Sequence, residues 1–506
     1  MVQGTTSSAG KSLLVTALCR IFRQDGWSVA PFKAQNMSLN AYVTPDGGEL
    51  GRAQAVQAEA AGIEPSVEMN PILLKPEADH RSQVVVRGRA VARSGARDYY
   101  RWRGELWSAV TESLDALRSR FELVVMEGAG SPAEPNLKAA DIVNMRVARY
   151  AGSPVLLVGD IDRGGVFAAF VGTLELLEPA ERALVRGFVI NKFRGDRALL
   201  EPAVEFLTAR TGVPVAGVVP YLRDLRIAEE DSVALDERRE EAAPAVVDVA
   251  VVRLPRIANF DDFDPLAAEP GVRVRYVSRP GDLGAPDLVV LPGSKSTAAD
   301  LRWLRESGLA AAVTARAAAG TAVLGICGGF QMLGEAIRDP LGVESEETET
   351  PGLGLLPAVT TFAAEKATHR VRARVEAGRG LLAGAEGLEV EGYEIHMGRT
   401  EHAGPPALRI LSRSGRPAEA PDGALDVGGW VWGTYVHGLF AANGLRRRVL
   451  ANLAARKGAV LPEGLVTLDR DAEYDRLAAH VRAALNMDLV YALLEEQRPG
   501  GSLTLP

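Results

Sequence analysis

The amino-acid sequence predicts an α/β protein of two domains, each a mainly parallel sheet covered by helices. Three observations predict it. At 506 residues the chain exceeds the size over which a single hydrophobic core keeps growing. Short apolar runs alternate with amphipathic segments along both halves, as buried strands alternate with covering helices. Between the two alternations lies a charged and then Ala/Pro-rich stretch, Asp236 to Pro244, which reads as a surface linker. The expected division is residues 1–236, residues 246–445, and a helical segment with tail over 446–506.

Composition narrows the function classes. With 47% hydrophobic and 24% charged residues the chain has an ordinary globular balance. Its 57 basic against 65 acidic residues, a net charge of −8, offer no bulk attraction to nucleic acid or anionic lipid. A local phosphate site remains open. The longest apolar runs, such as Leu123 to Met126 and Pro154 to Val158, fall far short of the roughly 20 residues a membrane-spanning helix needs. The start, Met-Val-Gln-Gly, carries no basic and apolar leader, and two cysteines make no disulfide framework. A cytoplasmic setting is therefore expected, with no membrane or nucleic-acid partner. Nothing in the sequence reports the oligomeric state.

In the first half the predicted strands are Ser28 to Phe32, Leu123 to Met126, Pro154 to Val158, Gly187 to Ile190 and Pro214 to Val219. Ligands in such sheets bind beyond the carboxyl ends of the strands. Ahead of these runs, Gly4-Thr5-Thr6-Ser7-Ser8-Ala9-Gly10-Lys11-Ser12 is a glycine-rich loop that opens directly into a helix. Leu13, Leu14, Ala17, Leu18, Ile21 and Phe22 share one face of that helix, and Gly26 can end it. The amides of Gly4, Thr5, Thr6 and Gly10, with the positive end of the helix, suit a nucleotide's phosphates. Lys11 would then reach the terminal phosphates and Ser12 would hold Mg²⁺. Five residues separate Gly4 from Gly10, one more than in the ordinary P-loop. This longer loop resembles that of dethiobiotin synthetase and its relatives, which activate carboxylates with ATP. Only Met1, Val2 and Gln3 precede it, where a strand of about 5 residues is expected. Either the strand is short or the chain starts upstream.

Glu127 follows a strand and precedes Gly128-Ala129-Gly130, the position of a Mg²⁺ ligand opposite Ser12. Asp141, Asp160 and Asp162 flank strand ends and could complete the metal and phosphate shell, though such aspartates serve as often as loop caps. Asn191-Lys192-Phe193, at another strand end, resembles the base-contacting Asn-Lys pair of P-loop proteins, which makes Asn191 a further nucleotide contact.

In the second half the predicted strands are Val249 to Arg253, Val272 to Val277, Leu288 to Leu291, Ala322 to Ile326 and, late, Trp430 to Val436. Tyr474 to Leu494 has helical spacing, with Leu477, Val481, Leu485, Leu489 and Leu493 four apart, and Gln497 to Pro506 reads as a loose tail. The run Ala322 to Gln331 leads an apolar strand into Cys327, then Gly328-Gly329, then a helix. This is a nucleophile elbow: glycines permit the strained turn, and the helix terminus favours a thiolate and offers amides to an oxyanion. Cys19, inside the loop helix, reads instead as packing. His437 ends the late strand, 110 positions after Cys327, and is the expected base. The amides of Gly328 and of the Pro292-Gly293-Ser294 turn, Gly293 foremost, are candidate oxyanion donors. Together the Cys-Gly-Gly block and the late histidine resemble class I glutamine amidotransferases. Most of that class carry a Glu two residues after the His, where this chain has Leu439, so what orients His437 stays open. His396, in Tyr393-Glu394-Ile395-His396-Met397-Gly398, is placed near the site without a proton-transfer role. A solvated or structural role is favoured for His80, His369, His402 and His480.

Longer blocks sharpen the resemblance. Phe32 to Asn40 (FKAQNMSLN), Met69 to Pro76 (MNPILLKP), Asp141 to Met145 (DIVNM) and Gly159 to Phe167 (GDIDRGGVF) resemble the cobyric acid synthase family, and the similarity covers nearly the whole chain. That resemblance implies a P-loop amidoligase domain followed by a glutamine amidotransferase domain. It also implies ATP and Mg²⁺ as cofactors, and glutamine and a corrinoid, adenosylcobyrinic acid a,c-diamide, as substrates. The b, d, e and g side-chain carboxylates would be amidated. The rivals are the sister activity, cobyrinic acid a,c-diamide synthase; a P-loop nucleotide switch, although Gln3 to Ser8 lacks the extra lysine common in such proteins; and a non-catalytic glutamine sensor.

Overall fold

A computed structural model describes residues 1–78, 81–95, 102–228, 245–462 and 469–496. The expected linker Asp236 to Pro244, the expected tail Gln497 to Pro506, and His80 lie outside the described residues. The first half is built on parallel strands in the order Val2–Gly4, Val155–Asp160, Val185–Phe193, Val215–Pro220. A second parallel pair, Val29–Phe32 with Leu123–Met126, joins beside Val2, where Glu127 bridges to it. All of these except Val2–Gly4 are read from their apolar runs. The strand ahead of the glycine-rich loop is short, 3 residues, and wholly buried.

The second half has a sheet in the order Val272–Val277, Val247–Val252, Leu288–Leu291, Ala322–Ile326, Val431–Thr434, all parallel, closed by the antiparallel edge strand Ala424–Leu425. Its core runs through Val249, Val251, Leu288, Val290, Leu324, Phe330 and Trp432, all essentially excluded from solvent.

Two mainly antiparallel insertions are not foreseen by the sequence reading. Gln35–Met37, Ile72–Ala78, Arg81–Val86 and Arg89–Gly95 form one sheet, of which only the last two pairings are antiparallel. The long strands Ala358–Val375 and Glu389–His402 dominate the other. Both are rich in charged residues, so they lack the short apolar runs that mark a buried parallel strand. The insertions bring the halves together. Ala41 and Val43 of the first half pack with Tyr393 and Ile395 of the second. Lys295 Nζ lies 2.8 Å from Glu77, and the amide of Ala41 donates to Asn259 Oδ1 at 2.9 Å.

The carboxyl-terminal segment divides between the two halves. Helix Asn443–Ala455 belongs to the second half, anchored by Arg446 on Glu269 at 2.7 Å. Helix Arg470–Ala484 instead returns to the first half and packs on the loop helix Lys11–Gln24, with Arg20 on Asp471 and Asp475 and Arg482 on Asp25. Periodicity reveals an apolar face without saying which surface receives it. The predicted helix Tyr474 to Leu494 is also two helices, Arg470–Ala484 and Met487–Glu495. Leu485 breaks the run to bridge Gly217, and Asn486 then caps the second helix through the amide of Leu489. Among the described residues no helix is long and apolar enough to cross a membrane.

Candidate functional site

The phosphate side is assembled at the carboxyl ends of the first sheet. Gly10 sits at φ 92° ahead of helix Lys11–Gln24, and a Cβ there would fall 2.1 Å from Asn191 Nδ2, so only glycine fits. Asn191 itself donates to the carbonyl of Ala9 at 2.8 Å, which ties strand Val185–Phe193 to the loop. Lys11 Nζ lies over the loop, donating to the carbonyls of Thr6 at 2.8 Å and Ser7 at 3.0 Å. The strand end at Gly4 hands over to Thr5, whose amide donates to Val158 O at 2.9 Å.

Ser12 Oγ donates to Glu127 Oε1 at 2.8 Å, so the two expected metal ligands lie side by side. Two further groups hold Glu127 that the sequence reading does not single out. Lys33 Nζ donates to its Oε1 at 2.9 Å and Gln57 Nε2 to its Oε2 at 2.6 Å. Burial alone would raise the Glu127 carboxyl, but the charge of Lys33 and the donors Lys33, Gln57 and Ser12 hold it below the usual range. Lys33 stands in the block Phe32 to Asn40, where its role is not legible.

Asp141, Asp160 and Asp162 bond to other partners. Asp141 uses both oxygens on backbone amides, of Val143 and Asn144 at 2.8 Å and of Arg146 at 3.1 Å, and so is a loop cap. Asp160 accepts from Lys192 Nζ and from the amide of Asp162, while Asp162 pairs with Arg194. Among the described residues no three His, Cys, Asp or Glu side chains gather as a metal-holding group. Beside the loop opens a cavity of about 630 Å³, lined by Ser7, Gly10, Lys11, Ser12, Asn191 and His480 and, from the second half, Asp261 and Asp264.

The cysteine side lies where the second sheet meets its insertion. Cys327 adopts φ 53°, ψ −109° between strand Ala322–Ile326 and helix Gly328–Leu333, a conformation L-residues rarely hold. The elbow depends on Gly329, where a Cβ would fall 1.9 Å from the carbonyl of Leu291. Cys327 Sγ lies 3.4 Å from the carbonyl of Ile395, so the His396 block adjoins the cysteine. His396 itself stacks on Tyr435 at 3.8 Å and bonds through Nδ1 to Gly398 O at 2.8 Å. The expected oxyanion residues converge here: a Cβ on Gly293 would meet His437 Cε1 at 3.1 Å, and one on Gly328 the amide nitrogen of Ser294 at 2.9 Å. Cys19, by contrast, is wholly buried among apolar side chains, and burial, with the nearby charge of Glu127, pushes its thiol up.

The group that orients His437 is Asp262. Its Oδ2 lies 2.6 Å from His437 Nδ1, and its Oδ1 accepts the amide of Gly438 at 2.8 Å. Burial would lower the imidazole, but the Asp262 carboxylate and the adjacent Cys327 outweigh it and lift His437 to about 10. At neutral pH His437 is therefore an imidazolium, the charge partner that a thiolate nucleophile uses. Asn259, on the same short segment, places Nδ2 3.4 Å from His437 Nε2, and Tyr393 stacks on the ring at 5.1 Å. The segment Asn259-Phe260-Asp261-Asp262 follows a two-residue strand and carries no motif that marks it.

This pair is expected to make stability depend on pH. A raised histidine stabilises the fold fully below its unfolded value near 6.5 and loses that contribution as pH rises through about 10. Asp262→Asn is expected to cost about 3–5 kcal/mol near pH 6, since it strands a buried charge, and the deficit should shrink steadily toward pH 10. Chemical denaturation of both proteins across that range checks it. A deficit that does not change with pH would rule out the ion pair.

Comparison with known proteins follows the same division. A CobQ/CobB/MinD/ParA nucleotide binding domain matches residues 1–234, and a CobB/CobQ-like glutamine amidotransferase domain matches residues 248–445. The chain is 59% identical to the cobyric acid synthase of Sorangium cellulosum, with 97% of each chain covered. It is 54% identical to that of Dehalococcoides mccartyi strain CBDB1, with 98% of each covered, and 55% identical to that of Pelotomaculum thermopropionicum over 100% of this chain and 98% of the relative.

Proposed function

The chain belongs to the cobyric acid synthase family, glutamine-using amidotransferase ligases of cobalamin biosynthesis, and from that premise we propose how its two sites divide the reaction. The observation that carries the reading is identity of 50–59% to cobyric acid synthases across nearly the full length, which spans both sites at once. The substrates are glutamine, MgATP and adenosylcobyrinic acid a,c-diamide, amidated at the b, d, e and g carboxylates.

At the cysteine site the Cys327 thiolate attacks the side-chain amide carbon of glutamine. Amides of Gly328 and of the Gly293 turn stabilise the oxyanion, and the His437 imidazolium gives its proton to the departing nitrogen, which leaves as ammonia. A γ-glutamyl thioester remains. Neutral His437, held by Asp262, then takes a proton from the attacking water; the thiolate departs, glutamate forms, and its carboxyl proton goes to solvent.

At the phosphate site a corrin carboxylate attacks the γ-phosphorus of ATP and ADP leaves. Ammonia then displaces phosphate from the acyl phosphate and a carboxamide results. Lys11 and the loop amides bind the phosphates and offset the charge that builds on them. The paired Ser12 hydroxyl and Glu127 carboxylate, two hard oxygen donors at a helix start, fit Mg²⁺. When bound it neutralises phosphate charge. Asn191, between the loop and the base side of the cavity, serves nucleotide binding.

Mass spectrometry of the corrinoid product tests the assignment. Four carboxylate-to-amide conversions on the a,c-diamide are expected, and none on cobyrinic acid at its a and c positions. Two conversions on cobyrinic acid, with the a,c-diamide left unchanged, would identify the sister activity instead.

A further inference from the structure

The turn that offers amides to the oxyanion is anchored on one buried carboxylate. Asp300 lies in the first turn of helix Thr297–Glu306 and is 2% exposed. Its Oδ2 accepts the hydroxyl of Ser294 at 2.7 Å and the amide of Arg256 at 3.2 Å. Ser294 Oγ in turn accepts the amide of Ser296 at 3.0 Å, which closes the turn. Burial lifts the Asp300 carboxyl to about 6, against the bonds from Ser294 and Arg256 and the charge of Arg256. Capping the helix does not account for a carboxylate kept there, because the amide of Ala298 at the helix start is taken by Glu344 Oε1 at 3.1 Å.

The two segments that Asp300 joins both lead into the cysteine site. Gly293–Ser294 pairs antiparallel with Ile257–Ala258, Ser294 opposite Ile257, and the amide of Lys295 donates to the carbonyl of Arg256 at 3.0 Å. Directly opposed residues in such a ladder alternate between bonded and non-bonded pairs, so the Ser294 amide is turned away from Ile257. It faces the elbow: a Cβ on Gly328 would fall 2.9 Å from that nitrogen. The other segment runs from Arg256 through Ala258 to Asn259 and Asp262, which meet the His437 ring. One carboxylate oxygen thus fixes an oxyanion donor against the strand that continues to the partner of His437.

We propose that Asp300 is a positioning residue of the glutaminase, which sets the Ser294 amide where the oxyanion forms. The inference rests on the assignment of Cys327 and His437 above. Its physical basis is that an oxyanion donor acts only while it is aimed at the place where charge develops. A strand of two residues, Gly293–Ser294, has few bonds of its own to hold that aim, and the carboxylate beneath it supplies the rest. Asp300 acts through Ser294 and Arg256 and not on the substrate.

The test measures glutamine hydrolysis by the full chain in Asp300→Ala, Asp300→Asn and Ser294→Ala. Asp300→Ala is expected to lower kcat about 10- to 100-fold with KM for glutamine within about twofold, because an oxyanion donor counts in the transition state and not in the bound substrate. Asp300→Asn, whose side-chain oxygen can stand where Oδ2 stands, should recover to within about threefold of the unaltered protein. Ser294→Ala keeps the backbone amide but loses the hydroxyl that binds Asp300, so it should lower kcat in the same way. It serves as the test protein if Asp300→Ala does not fold. Alkylation of Cys327 by iodoacetamide, read by intact mass, is displacement at a saturated carbon and forms no oxyanion. Its rate, and ammonium-supported amidation, should stay within about twofold in each variant. The proposal is overturned if kcat in Asp300→Ala stays within about threefold of the unaltered protein, if Asp300→Asn recovers nothing, or if alkylation falls in step with hydrolysis, which would mark a general loosening of the elbow. Failure of the underlying assignment looks different: Cys327→Ser would still hydrolyse glutamine, whatever stands at position 300.

Discussion

Replacing Cys327 with serine is expected to remove glutamine-supported amidation, by on the order of 10³-fold or more, and to leave amidation supported by ammonium salt at high pH. The reason is chemical. A serine hydroxyl is a far weaker nucleophile than a thiolate, and the Asp262 carboxylate, which raises His437 against its burial and remains in the variant, leaves the imidazole poorly suited to deprotonate an alcohol at neutral pH. The phosphate site keeps its machinery, since Ser12, Lys33 and Gln57 gather on Glu127 and Lys11 bonds the carbonyl of Thr6, all within the first half. Corrinoid product measured with each nitrogen source gives the answer. Glutamine-dependent turnover by Cys327→Ser would sink the nucleophile assignment; loss of the ammonium reaction in a folded variant would show that the half-reactions do not separate.

Replacing Lys11 with alanine is expected to lose both reactions, by about 10²–10³-fold, because the carboxylate needs phosphorylation whatever the nitrogen source. Lys11 Nζ lies on the carbonyls of Thr6 and Ser7, within the loop whose amides receive the phosphates, and loop amides alone cannot neutralise a triphosphate. Thiol chemistry at Cys327 should survive, so glutamine hydrolysis without nucleotide is the control. Titration calorimetry with MgATP and the amidation assay together decide it. Normal ATP binding and hydrolysis by Lys11→Ala would overturn the phosphate-site assignment.

Much of the fold is legible in the order of residues along the chain. The strands Leu123–Met126, Val272–Val277, Leu288–Leu291 and Ala322–Ile326 coincide with their predicted runs; Leu288–Leu291 and Ala322–Ile326, buried on both faces, are apolar throughout, whereas the half-buried Val272–Val277 alternates its apolar residues with Arg273 and Arg275. The long strands Ala358–Val375 and Glu389–His402 are not legible, since partly exposed strands rich in charge resemble surface loops. The aspartates show the same limit at the site. Asp141 reads in the sequence as a strand-end carboxylate, but it lies between the short turn Lys138–Ala140 and helix Met145–Ala151, where its oxygens accept the amides of Val143, Asn144 and Arg146.

Both candidate sites and their order can be read from consecutive residues, because the phosphate loop and the cysteine elbow each rest on local chemistry: glycines where backbone must turn or approach closely, then the reactive side chain, then a helix. What supports them comes from the packing of the folded chain. Asp262 meets His437 across 175 positions, Lys33 and Gln57 meet Glu127 across 94 and 70, and Arg52 reaches Tyr393 across 341. No spacing along the chain encodes such pairs, because folding brings them together through the packing of separate sheets. Once buried there, a charge without its partner would be costly enough that the partner's position is set by the three-dimensional core and not by the local sequence.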